Sequence, residues 1–584
     1  MIKNISKRAS TLMLSILMVS CSQQITSTPP STLTPEGEVA YESIRIDNDD
    51  PSWWDNAIFY EIWPRSFYDA DGDGSGDFDG MTSKLPYLQE LGVNGIWLTP
   101  VFEAPSYHGY DFQDFYSVES DYGTMEDFEE FVSAAHEHGI KVILDLVINH
   151  ISDGHEWFQK SAAQEPGYED YFIWKKEIPK HWGKAWADKE DNSQAVWHWN
   201  EQRGEFYYGA FGPTQPDVNL RNPKVVDEMN KLATFWLEKG VDGFRLDAVR
   251  YAIEDETVDG QDADQADTDA TIIYWTQFSQ HVKSINPGAM LVAEAWADMP
   301  TIGKYYDDGN GLDSAFDFDF GYVVSGILNA GGERSADFGT VKDGEEDNTR
   351  QALWANLKSR KATAPISFFS PFLTNHDQNR IMHTLGEDWS KAKLAATLLM
   401  TTPGTLYMYY GEEIGLSQYA TGDDQYRRAI MQWEDNDAAG FNDTGEFWLD
   451  QSKWFPWIKE HKPWWEGYWQ SQRANKNASV DAQAANPDSL LNHYKKLLQI
   501  RNDHVALQFP NEIRYYPVDN MNAWVVQNIK DEQKRLTLVN LNPEAEARFP
   551  VPKSLRGEYI DLLSGNKITL AEEFTLEAGQ SLIL

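Results

Sequence analysis

Short apolar runs recur along the chain, separated by longer stretches in which apolar residues fall three and four apart. The runs cover residues 57–63, 95–99, 142–147, 243–247, 290–294, 314–318, 366–373 and 405–410. Each has the length of a buried strand and is bounded by turn residues. Helical periodicity lies between most of them, at residues 81–91, 124–138, 223–239, 271–285 and 391–401. Eight strand–helix alternations predict an α/β fold, a (β/α)₈ TIM barrel.

The pattern breaks twice. Residues 151–222 hold many Trp, Tyr and Gly but little helical period, which predicts a small inserted domain after the third strand. After residue 507 the chain turns to short alternating runs with turns, such as 523–527 and 535–539, and predicts a C-terminal antiparallel β-sandwich over 508–584. The barrel is thus expected in two parts, 51–150 and 223–507. Ahead of it, residues 22–50 are rich in Ser, Thr, Pro and Asp and read as a tether.

Residues 1–20 carry a different signal. Lys3, Lys7 and Arg8 precede a short apolar run, 9–20, too short to span a bilayer comfortably. This is the layout of an export signal. It ends in Met18-Val19-Ser20-Cys21, which resembles the lipobox of bacterial lipoproteins. Cys21 is the one cysteine of the chain. Acylation would explain an unpaired thiol in an exported protein. The expected location is a lipid-anchored protein of a bacterial, outer, membrane, with the periplasmic or surface face left open.

Composition narrows the function classes. Of 584 residues, 92 are Asp or Glu and 49 are Lys or Arg, a net charge of −43. That sign opposes nucleic-acid binding and charge-driven docking on anionic lipid. It suits a strongly solvated surface, and a saline habitat would screen its self-repulsion. The 23 Trp raise sugar stacking as a prospect, although a large aromatic core accounts for them equally well.

Polar residues collect where the predicted strands end, the functional end of such a barrel. Asp145 and Asn149-His150 follow the third strand, Arg245 and Asp247 the fourth, Glu294 the fifth, and Asn375-His376-Asp377 the seventh. Three carboxylates and two histidines converging on one face suit glycosidic bond cleavage with retention. That reaction needs one ionised carboxylate to attack and one protonated carboxyl to donate. Asp247 shares a strand face with Arg245, whose charge favours the ionised form. Glu294 lies among Ala293, Ala295 and Trp296, an apolar setting that favours the protonated one.

The motifs 145–150, 243–247, 293–296 and 374–377 resemble the four core motifs of the α-amylase superfamily, glycoside hydrolase family 13. Residues 215–219 and 404–415 resemble two further family motifs. The resemblance spans roughly residues 53–584. It implies Asp247 as nucleophile, Glu294 as acid/base and Asp377 as the third carboxylate. It also implies His150 and His376 as hydroxyl-binding histidines and Tyr110 as the ring beneath the glycone. Arg250 stands where many members carry a Lys on the acceptor side; a salt bridge is the competing reading. An α-glucan or maltooligosaccharide is the implied substrate, and a non-catalytic glucan-binding lipoprotein is the alternative from another class.

Two features bear on detail. Asp69, Asp71, Asp73, Ser75 and Asp77 alternate with small residues, as hard-cation loops do, and resemble the family's metal loop after the first strand. A structural Ca²⁺ is expected; an ion-free acidic turn is the alternative. A second family Ca²⁺ site would use Asn149. For specificity, exo-acting relatives pair an Asp, at the position of Tyr107, with an Arg, here Arg428. Tyr107 resembles endo-acting α-amylases, and Ala248 fits α-1,4 cleavage. Against that, 215–219 resembles oligo-1,6-glucosidases, so α-glucosidase or transglycosylase action stays open. The acidic stretch 254–269 reads as a solvated loop. The tryptophans 454, 457, 464, 465 and 469 read equally as a sugar platform or a packed loop.

Overall fold

The structure, a computed structural model, describes residues 41–46, 51–186, 192–255, 264–329, 350–418, 422, 424–451, 453–454 and 478–584. Cys21 and the export segment lie outside the described residues. So do positions 457, 464, 465 and 469 of the tryptophan group and 256–263 of the acidic stretch.

Eight parallel strands form one sheet: β1 (Ile58–Ile62), β2 (Gly95–Leu98), β3 (Lys141–Leu146), β4 (Gly243–Leu246), β5 (Met290–Ala293), β6 (Ser314–Asp317), β7 (Phe369–Pro371) and β8 (Leu406–Tyr409). Their order is β7-β6-β5-β4-β3-β2-β1-β8. A parallel bridge between Phe372 and Tyr407 joins the two ends and closes the barrel. The strands read as near-continuous apolar runs because helices cover their outer face and side chains fill the interior. Gly243 has no room for a side chain: a Cβ there would sit 2.0 Å from the Met290 carbonyl oxygen.

The expected strands all occur, most of them a residue or more shorter than read. The seventh run was expected to be extended throughout, but Pro365 opens a 3₁₀ turn over Ile366–Phe368 before β7 starts. The helix expected over 81–91 is two helices, Phe78–Ser83 and Leu85–Leu91, because Pro86 fits only the first turn of a helix. Among the described residues, three helices of more than ten residues were not read from periodicity: Phe318–Leu328, Arg350–Thr363 and Leu490–Asp503. The first is apolar nearly all round, so it shows little amphipathic stripe.

The inserted region builds a three-stranded sheet from Trp174–Lys175, Trp197–Asn200 and Glu205–Tyr208. Trp182, Trp197 and Tyr208 pack edge-on or tilted in its core. The bridge His150–Asp217 seats it on the loop after β3, and Phe172–Val218 ties the region to itself.

Part of the stretch expected as a tether is structured. Glu42–Arg45 is a strand that pairs antiparallel with Glu512–Tyr515 at the edge of the five-stranded C-terminal sheet. Its Ile44 is buried, and Glu42 accepts a 2.6 Å hydrogen bond from the Trp354 indole of a barrel helix. The same helix grips the C-terminal domain through Arg350. That buried guanidinium donates to the carbonyls of Val518, Asn520 and Ala523 at 2.6–2.9 Å. Arg350→Ala strands these acceptors and should cost about 2–4 kcal/mol of unfolding free energy. Denaturant melts of the two proteins measure it; unchanged midpoints would remove Arg350 as the interdomain fastener.

Candidate active site

The register of β4 against β3 sets Arg245 opposite Asp145. Both are buried where the strands end. Arg245 Nη1 donates to Asp145 Oδ1 at 2.7 Å and to Asp247 Oδ1 at 2.6 Å. Its Nη2 lies 3.0 Å from Glu294 Oε2, an ion-pair distance without hydrogen-bond alignment. One planar fork thus spans Asp247 and Glu294 and keeps the two carboxyls close. Trp97 and Tyr110 cover the guanidinium, 5.3 and 5.9 Å from their ring centres.

The two carboxyls differ in setting. Burial pushes Glu294 up to about 8 against the pull of Arg245. Its Oε2 accepts the Ala248 N–H at 2.9 Å, so Oε1 is left to carry the proton of the neutral acid. Ala248 itself is held at φ 47°, ψ 37°, a left-handed conformation costly for a residue with a Cβ. Asp247 instead accepts a well-aligned, charge-assisted bond from Arg245.

A second network runs from β1 to the loop after β8. His376 is buried with both ring nitrogens engaged. Nδ1 donates to Glu61 Oε1 at 2.6 Å, and Nε2 lies 2.6 Å from Tyr110 Oη and 3.1 Å from Asp377 Oδ2. Burial opposes its charge, but Asp377 and Glu61 outweigh that and push His376 up to about 10. Tyr110 Oη in turn donates to Asp145 Oδ2 at 2.9 Å. Asp377, which burial would raise, is instead held well below the usual carboxylate range by His376, Arg428 and Arg245. Arg428 Nη2 lies 3.2 Å from Asp377 Oδ1, and its guanidinium covers Trp63 at 4.2 Å and Tyr107 at 5.8 Å. Tyr107 stacks on Trp448 at 5.3 Å and 23°.

Asp247, Glu294, Asp377, Arg245, Tyr110 and His376 therefore form one connected cluster, with Arg428 and Tyr107 at one end. His150 adjoins it through Nε2, 3.0 Å from the Tyr110 carbonyl, where Gln215 also donates at 3.3 Å. Asp145 and Glu61 complete it but carry no role in the sequence reading. Glu61 falls one residue from the end of a strand that reads as wholly apolar packing. Its signal was an acidic residue inside such a strand.

Arg250 has protein partners in place of an open acceptor side. It pairs with Asp267 at 2.6 Å and donates to the Trp296 carbonyl at 2.5 Å. The stretch expected as a solvated loop is thus anchored at one end by Asp267, and Glu254 at its other end is buried. Asn149 donates to Asp217 Oδ1 at 2.9 Å.

Of the predicted metal loop, Asp69, Asp71 and Asp77 present carboxylate oxygens within 4.8 Å of one another. Asp73 is not part of that group; its Oδ1 accepts the Ser75 N–H at 2.8 Å, and Ser75 Oγ accepts from Arg65 at 3.2 Å. Burial and neighbouring carboxylates push Asp77 up to about 6 and raise Asp69. Three carboxylate oxygens at this spacing, two of them on buried side chains, are donors of the kind a hard divalent cation takes.

Residues 61–509 match the family model for the alpha amylase catalytic domain. The chain is 37% identical to Alpha-amylase 3 of Dictyoglomus thermophilum over 77% of either sequence. It is 35% identical to Maltase 1 of Drosophila virilis over 69% of this chain and 68% of that one. The solved α-amylase from H. orenii superposes with a TM-score of 0.72 at 31% identity, covering 91% of this chain and 99% of that one. Its barrel, its carboxyl cluster and these matches together make the chain a member of the α-amylase family of glycoside hydrolases.

Proposed function

We propose a retaining, endo-acting hydrolase of α-1,4-glucosidic bonds in starch, glycogen or maltooligosaccharides. The observation that carries the retaining mechanism is the single Arg245 fork across Asp247 and Glu294. Retention needs the two carboxyls roughly 5–5.5 Å apart, close enough for one to attack the carbon whose oxygen the other protonates. Asp247 attacks the anomeric carbon while Glu294 Oε1–H passes its proton to the departing glycosidic oxygen. A glycosyl ester on Asp247 and a shortened sugar result. Glu294, now a carboxylate, takes a proton from water as that water attacks the anomeric carbon and breaks its bond to Asp247, which restores both groups. Asp377, kept ionised, accepts hydrogen bonds from sugar hydroxyls and favours the distorted ring. Tyr110 offers its face beneath the glycone.

Endo action is supported by Tyr107. A terminal-glucose pocket closes its far end with a carboxylate that accepts from terminal hydroxyls. Tyr107 supplies a ring face instead, and Arg428 is drawn to Asp377. α-Glucosidase action is the second reading. It is favoured by the likeness to a maltase and by the retained Arg428. Calcium is proposed at Asp69, Asp71 and Asp77, where it would tie the loop after β1 to the helix that Asp77 caps. Acylation of Cys21 would anchor the enzyme to a membrane. No contact with nucleic acid is expected of so acidic a chain.

Three outcomes test this reading. Early digestion of maltoheptaose should release maltose and maltotriose with little glucose; glucose alone from the first time point would establish the α-glucosidase instead. The acid/base must be protonated to act, so kcat/KM should hold through neutral pH and fall as pH rises through about 8. A fall already complete near pH 5 would remove Glu294 from that role. EDTA should lower the melting temperature, a loss of about 2.7 kcal/mol if free Ca²⁺ stood at 100 times its Kd. An unchanged melt with no metal by elemental analysis would leave the turn ion-free.

A further inference from the structure

The acidic turn after β1 is clasped by a segment far away in sequence, residues 441–451 beyond β8. Asp69 N–H donates to the Phe441 carbonyl at 3.0 Å, and Asn442 Nδ2 to Asp69 Oδ2 at 2.7 Å. Thr444 Oγ1 donates to the Gly72 carbonyl at 3.0 Å, and Gln451 Nε2 to the Asp73 carbonyl at 2.8 Å. Trp448 N–H donates to the Gly74 carbonyl at 2.6 Å. The approach is tight: a Cβ on Gly74 would meet Gln451 Nε2 at 2.9 Å.

Trp448 sits at the centre of this clasp. It is fully buried, and its indole Nε1 donates to Ser66 Oγ at 2.9 Å. Its ring backs Tyr107, at 5.3 Å and 23°. Backbone, indole nitrogen and ring face are each committed to a different neighbour, so the indole has one available orientation. Tyr107, only partly buried, takes its orientation from that ring on one side and from Arg428 on the other.

We infer that Trp448 is a positioning residue for substrate specificity: it fixes the Tyr107 ring that forms the glycone-side wall, and the acidic turn fixes Trp448. Product size is then set partly from a turn that touches no sugar. The inference rests on the endo reading for what Tyr107 does, but its mechanical claim concerns only whether Tyr107 is held.

The test compares Trp448→Leu, Trp448→Phe and Gln451→Ala with the parent on two substrates. Maltoheptaose reaches past the glycone site; p-nitrophenyl α-glucoside does not. For Trp448→Leu the KM for maltoheptaose should rise roughly 3- to 10-fold, the loss expected of one aromatic pair, with kcat within about twofold. Maltose and maltotriose should give way to a broader product mixture. Rates on the short substrate should stay within about twofold. Trp448→Phe, which keeps a stacking face, should return most of the effect, and Gln451→Ala should give a smaller shift of the same sign. Equal losses on both substrates, or an unchanged maltoheptaose KM in folded Trp448→Leu, would overturn the inference. If Trp448→Leu does not fold, Gln451→Ala decides: a maltoheptaose KM that moves no more than the KM for the short substrate overturns it. The parent's own products report on the endo reading separately, since glucose-only release by the parent leaves the long-to-short substrate ratio of the variants readable.

Discussion

One buried guanidinium organises the catalytic face. Arg245 sits at the end of β4 with Asp145, Asp247 and Glu294 around it, and no water-exposed charge could hold three carboxyls so close. Burying a cation is costly unless it is paired and hydrogen-bonded, and burying those acids without it would be worse. The barrel supplies the pairing for free through strand register, which places Arg245 beside Asp145 before any side chain is chosen. The asymmetry between the two working carboxyls follows from the same fork. The aligned bond goes to Asp247, and Glu294 receives charge without alignment. Acid and nucleophile are thus separated by geometry at one cation.

The second network draws Arg428 into the reaction centre. Arg428 faces the ring of Tyr107, where no carboxylate is offered to it. It turns to Asp377, where it joins His376 in holding that carboxylate ionised. An arginine that would serve a terminal hydroxyl becomes part of the electrostatics of the reaction centre. The ring of Tyr107 lies over the same guanidinium, and Trp448 lies behind the ring.

Much of this was legible along the chain, for identifiable reasons. Barrel strands are short apolar runs ending in polar residues, and the carboxyl cluster falls at those ends, so β3, β4, β5 and β7 announced the site. The helix Phe318–Leu328 was hidden because uniform burial erases periodicity. The strand Glu42–Arg45 was hidden because its sequence, Glu-Ser-Ile-Arg, is polar but for one residue, as an edge strand can be. Glu61 and Trp448 were missed for another reason. Their roles depend on partners more than 300 residues away, and no local pattern encodes a pairing of that separation. Arg250 illustrates the converse: its motif position pointed to substrate, while Asp267, inside an unremarkable acidic run, claims it.

The left-handed backbone at Ala248 limits how this enzyme can diverge. Its N–H orients Glu294, so the conformation is tied to the chemistry. A branched residue there would meet a backbone that β-branched side chains avoid. A glycine would relax the strain and at the same time loosen the donor that fixes the acid. Acid placement therefore hangs on one strained turn, and a lineage that changes residue 248 must rebuild that turn to keep its acid in place.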